Sequence, residues 1–263
     1  MRSVLLFTLL AGAAPAFGSV IAPNLGVAST FGLLGGAISN TGTSVVEGNV
    51  GSMSTVTGFN SSAGTATGSV YTAAGTTAAY GDFLSAYAIA VNDYLTPPTQ
   101  TPAGLTTDQT FDGNTVYKFS DTNVTSTSGI VLTFVGTSSD IFIIKVPSAL
   151  VINGPITFDL TGGALAGNIY WIVGTDATIK PTVSITWDGN ILAGDTFTMA
   201  HASGPAFAGT INGCVFAVNA NTLAAATQVN GCAATGATPE PGSSVLVALG
   251  LLLGVFGLRK FAR

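Results

Sequence analysis

Apolar and polar positions alternate along most of this chain in short bursts, many of them closed by a glycine. One stretch breaks that rule. From Thr77 the apolar residues Tyr80, Phe83, Leu84, Tyr87, Val91 and Tyr94 recur every three or four positions, which predicts one helix over about 76–95. Thr76 or Thr77 is the expected N-cap, and Thr96-Pro97-Pro98 stops the helix. Its apolar stripe is expected to pack against a sheet.

Elsewhere the period is two, as in half-buried strands. The recurring unit is polar, apolar, polar, Gly, then a short apolar run. It reads Thr186-Trp187-Asp188-Gly189, Thr210-Ile211-Asn212-Gly213 and Gln228-Val229-Asn230-Gly231. It recurs at Val151-Ile152-Asn153-Gly154 and Ser126-Thr127-Ser128-Gly129, with shorter echoes ending at Gly48, Gly58 and Gly68. Gly189, Gly213 and Gly231 are separated by 24 and 18 residues, about one turn of a β-solenoid. The tighter spacing of the early echoes is too short for a turn, so the N-terminal part is expected to fold differently, as a cap.

In a solenoid, equivalent residues of successive turns lie about 4.8 Å apart, and positions i and i+2 of a strand about 6.7 Å apart. The unit therefore predicts a flat grid of small polar groups. One column holds Thr186, Thr210 and Gln228; the next holds Asp188, Asn212 and Asn230; Ser184 and Ala208 widen the grid by a third. Trp187, Ile211 and Val229 are expected to point into the core. Cys214 and Cys232 each follow the glycine of their own unit, so they should stack on adjacent turns with Cα atoms about 5 Å apart, within disulfide range. That bond would staple the last turn, whose open edge is expected to fray. Two buried free thiols are the alternative.

Charge is the scarce ingredient. Between Ser19 and Thr238 there are eleven acids, three lysines (Lys118, Lys145 and Lys180) and no arginine. Nucleic acid is disfavoured as a partner, because neutralising phosphates needs Lys and Arg. His201, the single histidine, has no metal-ligating partner at suitable spacing and no arrangement of nucleophile and base around it, so no metal, cofactor or catalytic site is expected. Asp188 and Asp195 are near each other in sequence, which leaves carboxylate-pair glycoside cleavage as a minor option.

Both ends read as addresses. Met1 to Gly18 has Arg2, the apolar run Val4 to Leu10 and small residues near Gly18, the pattern of a secretory signal. Pro239-Glu240-Pro241 precedes an apolar segment from Val245 to Leu258 and the basic residues Arg259, Lys260 and Arg263. This resembles the bacterial Pro-Glu-Pro sorting tag, which implies cleavage by a sorting protease at the inner membrane and a secreted or cell-surface product. An ordinary C-terminal membrane anchor is the plainer alternative. The expected domains are a signal at 1–18, a β-rich body at 19–238 and a sorting segment at 239–263.

The order of elements resembles the microbial ice-binding protein family. The matching stretches run from Leu25-Gly-Val-Ala-Ser-Thr-Phe-Gly and Val46-Glu-Gly-Asn-Val-Gly through the helix after Val70-Tyr71 to Val116-Tyr-Lys-Phe. They continue with Asp140-Ile-Phe-Ile-Ile-Lys-Val, Gly167-Asn-Ile-Tyr-Trp-Ile-Val-Gly and Gly189-Asn-Ile-Leu-Ala. One departure is Cys214, where that family usually has Arg. The resemblance implies an irregular right-handed β-helix of triangular cross-section, one long helix alongside, an N-terminal capping region, a monomer, and one flat face that adsorbs to ice. The expected contact residues are those of the grid. A structural or adhesive matrix protein that binds polysaccharide on the same scaffold is the runner-up, and a polysaccharide-cleaving enzyme comes third.

Overall fold

A computed structural model describes residues 20–59, 63–92, 99–203 and 207–232. The signal and sorting segments, Tyr94 and the Thr96-Pro97-Pro98 stop lie outside the described residues. The N-terminal segment holds β1 (Phe31–Asn40), β2 (Val45–Val46), β3 (Asn49–Ser52), β4 (Val56–Thr57), β5 (Thr65–Ala66) and β6 (Val70–Thr72), followed by helix α1 (Thr77–Asn92). Then come β7 (Thr99–Gln100), β8 (Gln109–Asp112), β9 (Thr115–Lys118), β10 (Val124–Ser126), β11 (Ile130–Val135), β12 (Phe142–Val146), β13 (Leu150–Ile152) and β14 (Ile156–Thr161). The described residues end in β15 (Ile169–Val173), β16 (Ala177–Ile179), β17 (Ile185–Asp188), β18 (Asn190–Ala193), β19 (Thr196–Met199), β20 (Phe207–Asn212), β21 (Val215–Leu223) and β22 (Ala226–Val229).

The strands coil into a parallel β-helix with three faces. The first face stacks β7, β9, β12, β15, β18, the first half of β21, the first half of β1, β3 and β6. The second stacks β10, β13, β16, β19, the second halves of β21 and β1, then β4. The third is broken into β8–β11–β14 and β17–β20–β22–β2–β5. Inward residues fill the bore with aromatics: Trp171 and Trp187 lie 4.8 Å apart, and Phe158 packs on Trp187 at 5.1 Å, closing the break. Such ring pairs contribute roughly 0.5–1.5 kcal/mol each beyond the area they bury.

The early echoes are solenoid turns in their own right. Val45 pairs with both Gln228 and Thr65, so two echoes continue the third face, while Val56-Thr57 lies beside β1 on the second. The short early spacing is therefore the step from one face to another, and the N-terminal segment caps the stack by extending it. One expectation about the cysteines changes with this. They are bonded, with Cα atoms 4.4 Å apart. Yet the turn they staple is not an open edge, because β22 has β20 on one side and β2 on the other.

Helix α1 returns the chain along the first face. The periodicity places Phe83, Leu84 and Val91 in the buried stripe; Phe83 is buried there, but Leu84 and Val91 are more than a third exposed, and Ala79, Ala86 and Ala90 complete the contact in their place. Alanines let the helix sit close to the sheet, where larger side chains would hold it off. Tyr80 and Tyr87 flank the contact, their hydroxyls donating to the carbonyls of Val218 (2.5 Å) and Val173 (2.9 Å). Buried Lys145 of β12 donates from Nζ to the Val91 carbonyl at 2.6 Å, satisfying an acceptor in the last turn. Neither threonine caps the start as expected: the Thr77 hydroxyl donates to the Ala73 carbonyl, and that of Thr76 is buried without a partner among the described residues.

Candidate functional site

Of the three faces, the first is covered by α1, which leaves the second and third to meet a ligand. On the third face the expected register is present: Thr186 pairs with Thr210, Thr210 with Gln228, and Asp188 with Asn212. Trp187, Ile211 and Val229 are fully buried in the bore.

The surface these residues build is less even than a grid. The register slips between Phe207 and Gly209, so the bulge turns Ala208 inward, where it is 0% exposed, and Phe207 outward, where it is 45% exposed. Ala208 is thus a core residue and leaves the expected third column. Gly209 makes this slip: its φ is +145°, and a Cβ there would lie 2.0 Å from the Ile185 carbonyl. Ser184 remains exposed and donates to the Phe207 carbonyl at 2.6 Å.

The second grid column is a hydrogen-bonded ladder. Gln228 Nε2 donates to Asn230 Oδ1 (2.8 Å), Asn230 Nδ2 to Asn212 Oδ1 (2.7 Å) and Asn212 Nδ2 to Asp188 Oδ1 (2.6 Å). The two asparagines donate along the stack toward one carboxylate, and Gln228 joins them from the neighbouring column. Asp188 is 8% exposed, and burial raises its pKa from the ordinary aspartate value, with the Asn212 bond opposing that rise. These groups spend much of their hydrogen-bonding capacity on one another. Asp195 accepts from Asn219 at a corner between the first and second faces, so the two carboxylates do not converge. His201 sits in a loop, its Nδ1 accepting from the Ser203 amide.

The second face carries an arrangement that the spacing of glycines had not revealed. Its outward central column is Thr125, Val151, Thr178 and Thr198, continuing through Thr222, Ser39 and Thr57. No register shift interrupts it across seven strands, which at the usual inter-strand spacing spans roughly 29 Å. Threonine is stiff at χ1, so each methyl and hydroxyl is held in place. Among the described residues, no side-chain hydrogen bond ties down the hydroxyls of Thr125, Thr178, Thr198, Thr222 or Ser39, which leaves them to water. The signal was present as Ala177-Thr178-Ile179, Phe197-Thr198-Met199 and Asn221-Thr222-Leu223, a hydroxyl between two inward residues. Turns of unequal length put it out of step with any fixed period.

Residues 33–230 match the ice-binding-like family. An ice-binding protein from the Antarctic ascomycete Antarctomyces psychrotrophicus is 32% identical, covers 80% of this chain and 98% of its own, and superposes with a TM-score of 0.66. An ice-binding protein from an Antarctic biological consortium is 26% identical over 83% of this chain and 94% of its own, with a TM-score of 0.64. An ice-binding protein from an Arctic yeast, described for its antifreeze activity, is 25% identical over 84% and 97%, with a TM-score of 0.62. No curated protein matches.

Proposed function

The chain belongs to the ice-binding-like family, and from that premise we propose that it is exported and adsorbs to ice through the second face, slowing ice growth and recrystallisation. The observation that carries this reading is the unbroken column from Thr125 to Thr57. A rigid row of methyl and hydroxyl groups orders a layer of water over the face, and that layer merges with the crystal. Each contact is weak. Many acting together on one rigid body make desorption rare. Thr198→Tyr, which raises a bulky ring from the centre of the column, should abolish most thermal hysteresis and recrystallisation inhibition with the fold intact. Full activity in that variant would refute the assignment to this face.

The expected grid of Ser184, Thr186, Asp188, Thr210, Asn212, Gln228 and Asn230 is the second reading, favoured by the in-register pairing of Thr186 with Thr210. Against it stand the bulge at Ala208, the protruding Phe207 and the inward-spent amides. Loss of activity in Thr210→Tyr, with Thr198→Tyr unaffected, would move the site there. Processing is part of the proposal: the mature protein lacks residues up to about Gly18 and those after Pro241, removed by export and by the sorting protease. Intact-mass measurement on protein from the native host tests this, since retention of Val245 to Leu258 would mean a membrane-anchored form.

A further inference from the structure

The second face is not the same along its length. Around β16 the central Thr178 is flanked by Asp176 on one side and exposed Lys180 on the other, and on β13 the column member is Val151 beside exposed Asn153. Past β19 the charges stop. The column continues as Thr198, Thr222, Ser39 and Thr57, flanked by Ala220 and Ala37 on one side and by Ala224 and Thr41 on the other. This stretch is a seam. Here the last two described C-terminal strands of this face, β19 and β21, meet the N-terminal segment, β1 and β4.

Building on the ice-adsorption reading, we infer that the seam itself is the ice-contacting patch, assembled from both ends of the body and bounded at β16 by Asp176 and Lys180. The physical reason is hydration. A lysine ammonium is a strongly hydrated point charge on a flexible stem, and it holds water in an arrangement of its own. A carboxylate does likewise, and Asp176 also draws in the Thr196 hydroxyl at 2.6 Å. Alanine and threonine impose no such order and lose little or no flexibility when a crystal covers them. The seam is also held firmly. Seven register pairs join β1 to β21, and fully buried Asn221 reaches across it, its Nδ2 donating to the Leu34 carbonyl at 2.8 Å. Four strands and three outward columns give a patch of roughly 14 by 13 Å between its outermost Cα positions.

A scan of single substitutions along the column in the full chain tests this, with thermal hysteresis as the readout and circular dichroism as the check on folding. Thr222→Tyr and Ser39→Tyr should lose most activity, while Thr125→Tyr, at the far end of the same column, should lose a distinctly smaller part of it. Ala224→Lys supplies a second seam variant at an exposed position and should also lose most activity. Lys180→Ala, which removes one of the two charges that bound the patch, should raise activity. Equal losses at Thr125 and Thr222 would overturn the seam and leave the second face standing as the ice site. Unchanged activity in Thr222→Tyr, Ser39→Tyr and Ala224→Lys, with loss in Thr210→Tyr, would overturn both.

Discussion

Ser39 and Thr222 stand side by side on adjacent parallel strands, although they come from opposite ends of the body. The turn beside them has room only for glycine. Gly58, one residue past Thr57, has a φ of +77°, and a Cβ there would lie 1.8 Å from the Asn40 carbonyl. Gly58→Ala should therefore force β4 away from β1. A cost of about 1–3 kcal/mol is expected from the backbone strain alone. Thermal unfolding should show a lowered Tm, and ice activity should fall with it because Thr57 leaves the plane. An unchanged Tm would mean that the turn can reshape freely.

The disulfide between Cys214 and Cys232 closes a separation of 18 residues. In the chain-entropy treatment, a loop of that size stabilises by roughly 3 kcal/mol. Cys214→Ser with Cys232→Ser should lower the Tm, and reductant should do the same to the parent protein but not to the double variant. Thiol titration of the unfolded, unreduced protein should find no reactive group; two per chain would mean that the pair is unbonded.

Asp188 gives the fold a pH dependence of known sign. Its pKa is raised in the folded state by burial, so between the unfolded and folded pKa values the folded protein holds a proton that the unfolded chain has already released. Its contribution to stability is therefore most favourable below the unfolded pKa, and declines as pH rises from there through the folded one. Asp188→Asn keeps an acceptor for Asn212 and removes the buried charge. The variant should be more stable than the parent at neutral pH, and the gap should close as the pH falls through the carboxylate range. Melting curves across that range decide it; a gap that widens in acid would contradict the sign.

Helix α1 offers a test of which stripe it buries. Ala86→Leu puts a large side chain into the close contact with the first face, where overpacking costs typically about 1–3 kcal/mol. Leu84→Ala, on the exposed side, should change stability little. The apolar periodicity read from sequence predicts the opposite order, so one pair of melting curves separates the two.

That reversal shows what in the fold was legible in the sequence. Alternation and the glycine-ended unit revealed strands, the inward set Trp187, Ile211 and Val229, and the meeting of Cys214 with Cys232, because each depends on a spacing within one or two turns. Leu84 was misplaced because a periodicity weighted by hydrophobic size cannot see that a helix prefers alanines where it lies closest to a sheet. Ala208 was misplaced because Gly209 makes a one-residue bulge, which inverts the in–out pattern upstream of it. The column on the second face stayed hidden for a different reason. Its members Thr222 and Ser39 become neighbours only once the two ends of the body meet, a pairing that no local pattern encodes.

The position of β22 between β20 and β2 has a consequence for the order in which the molecule is made. The last of the described strands to be synthesised is an interior one. Until it arrives, β20 and β2 each present an unpaired edge, and unpaired edges invite other chains. Contacts between residues near 45 and residues near 228 also span nearly the whole body, and such long closures slow folding. The chain is thus committed to finish late and all at once. A copy shortened by its final turn would keep most of its strands and still expose two sticky borders where the complete protein has a closed wall.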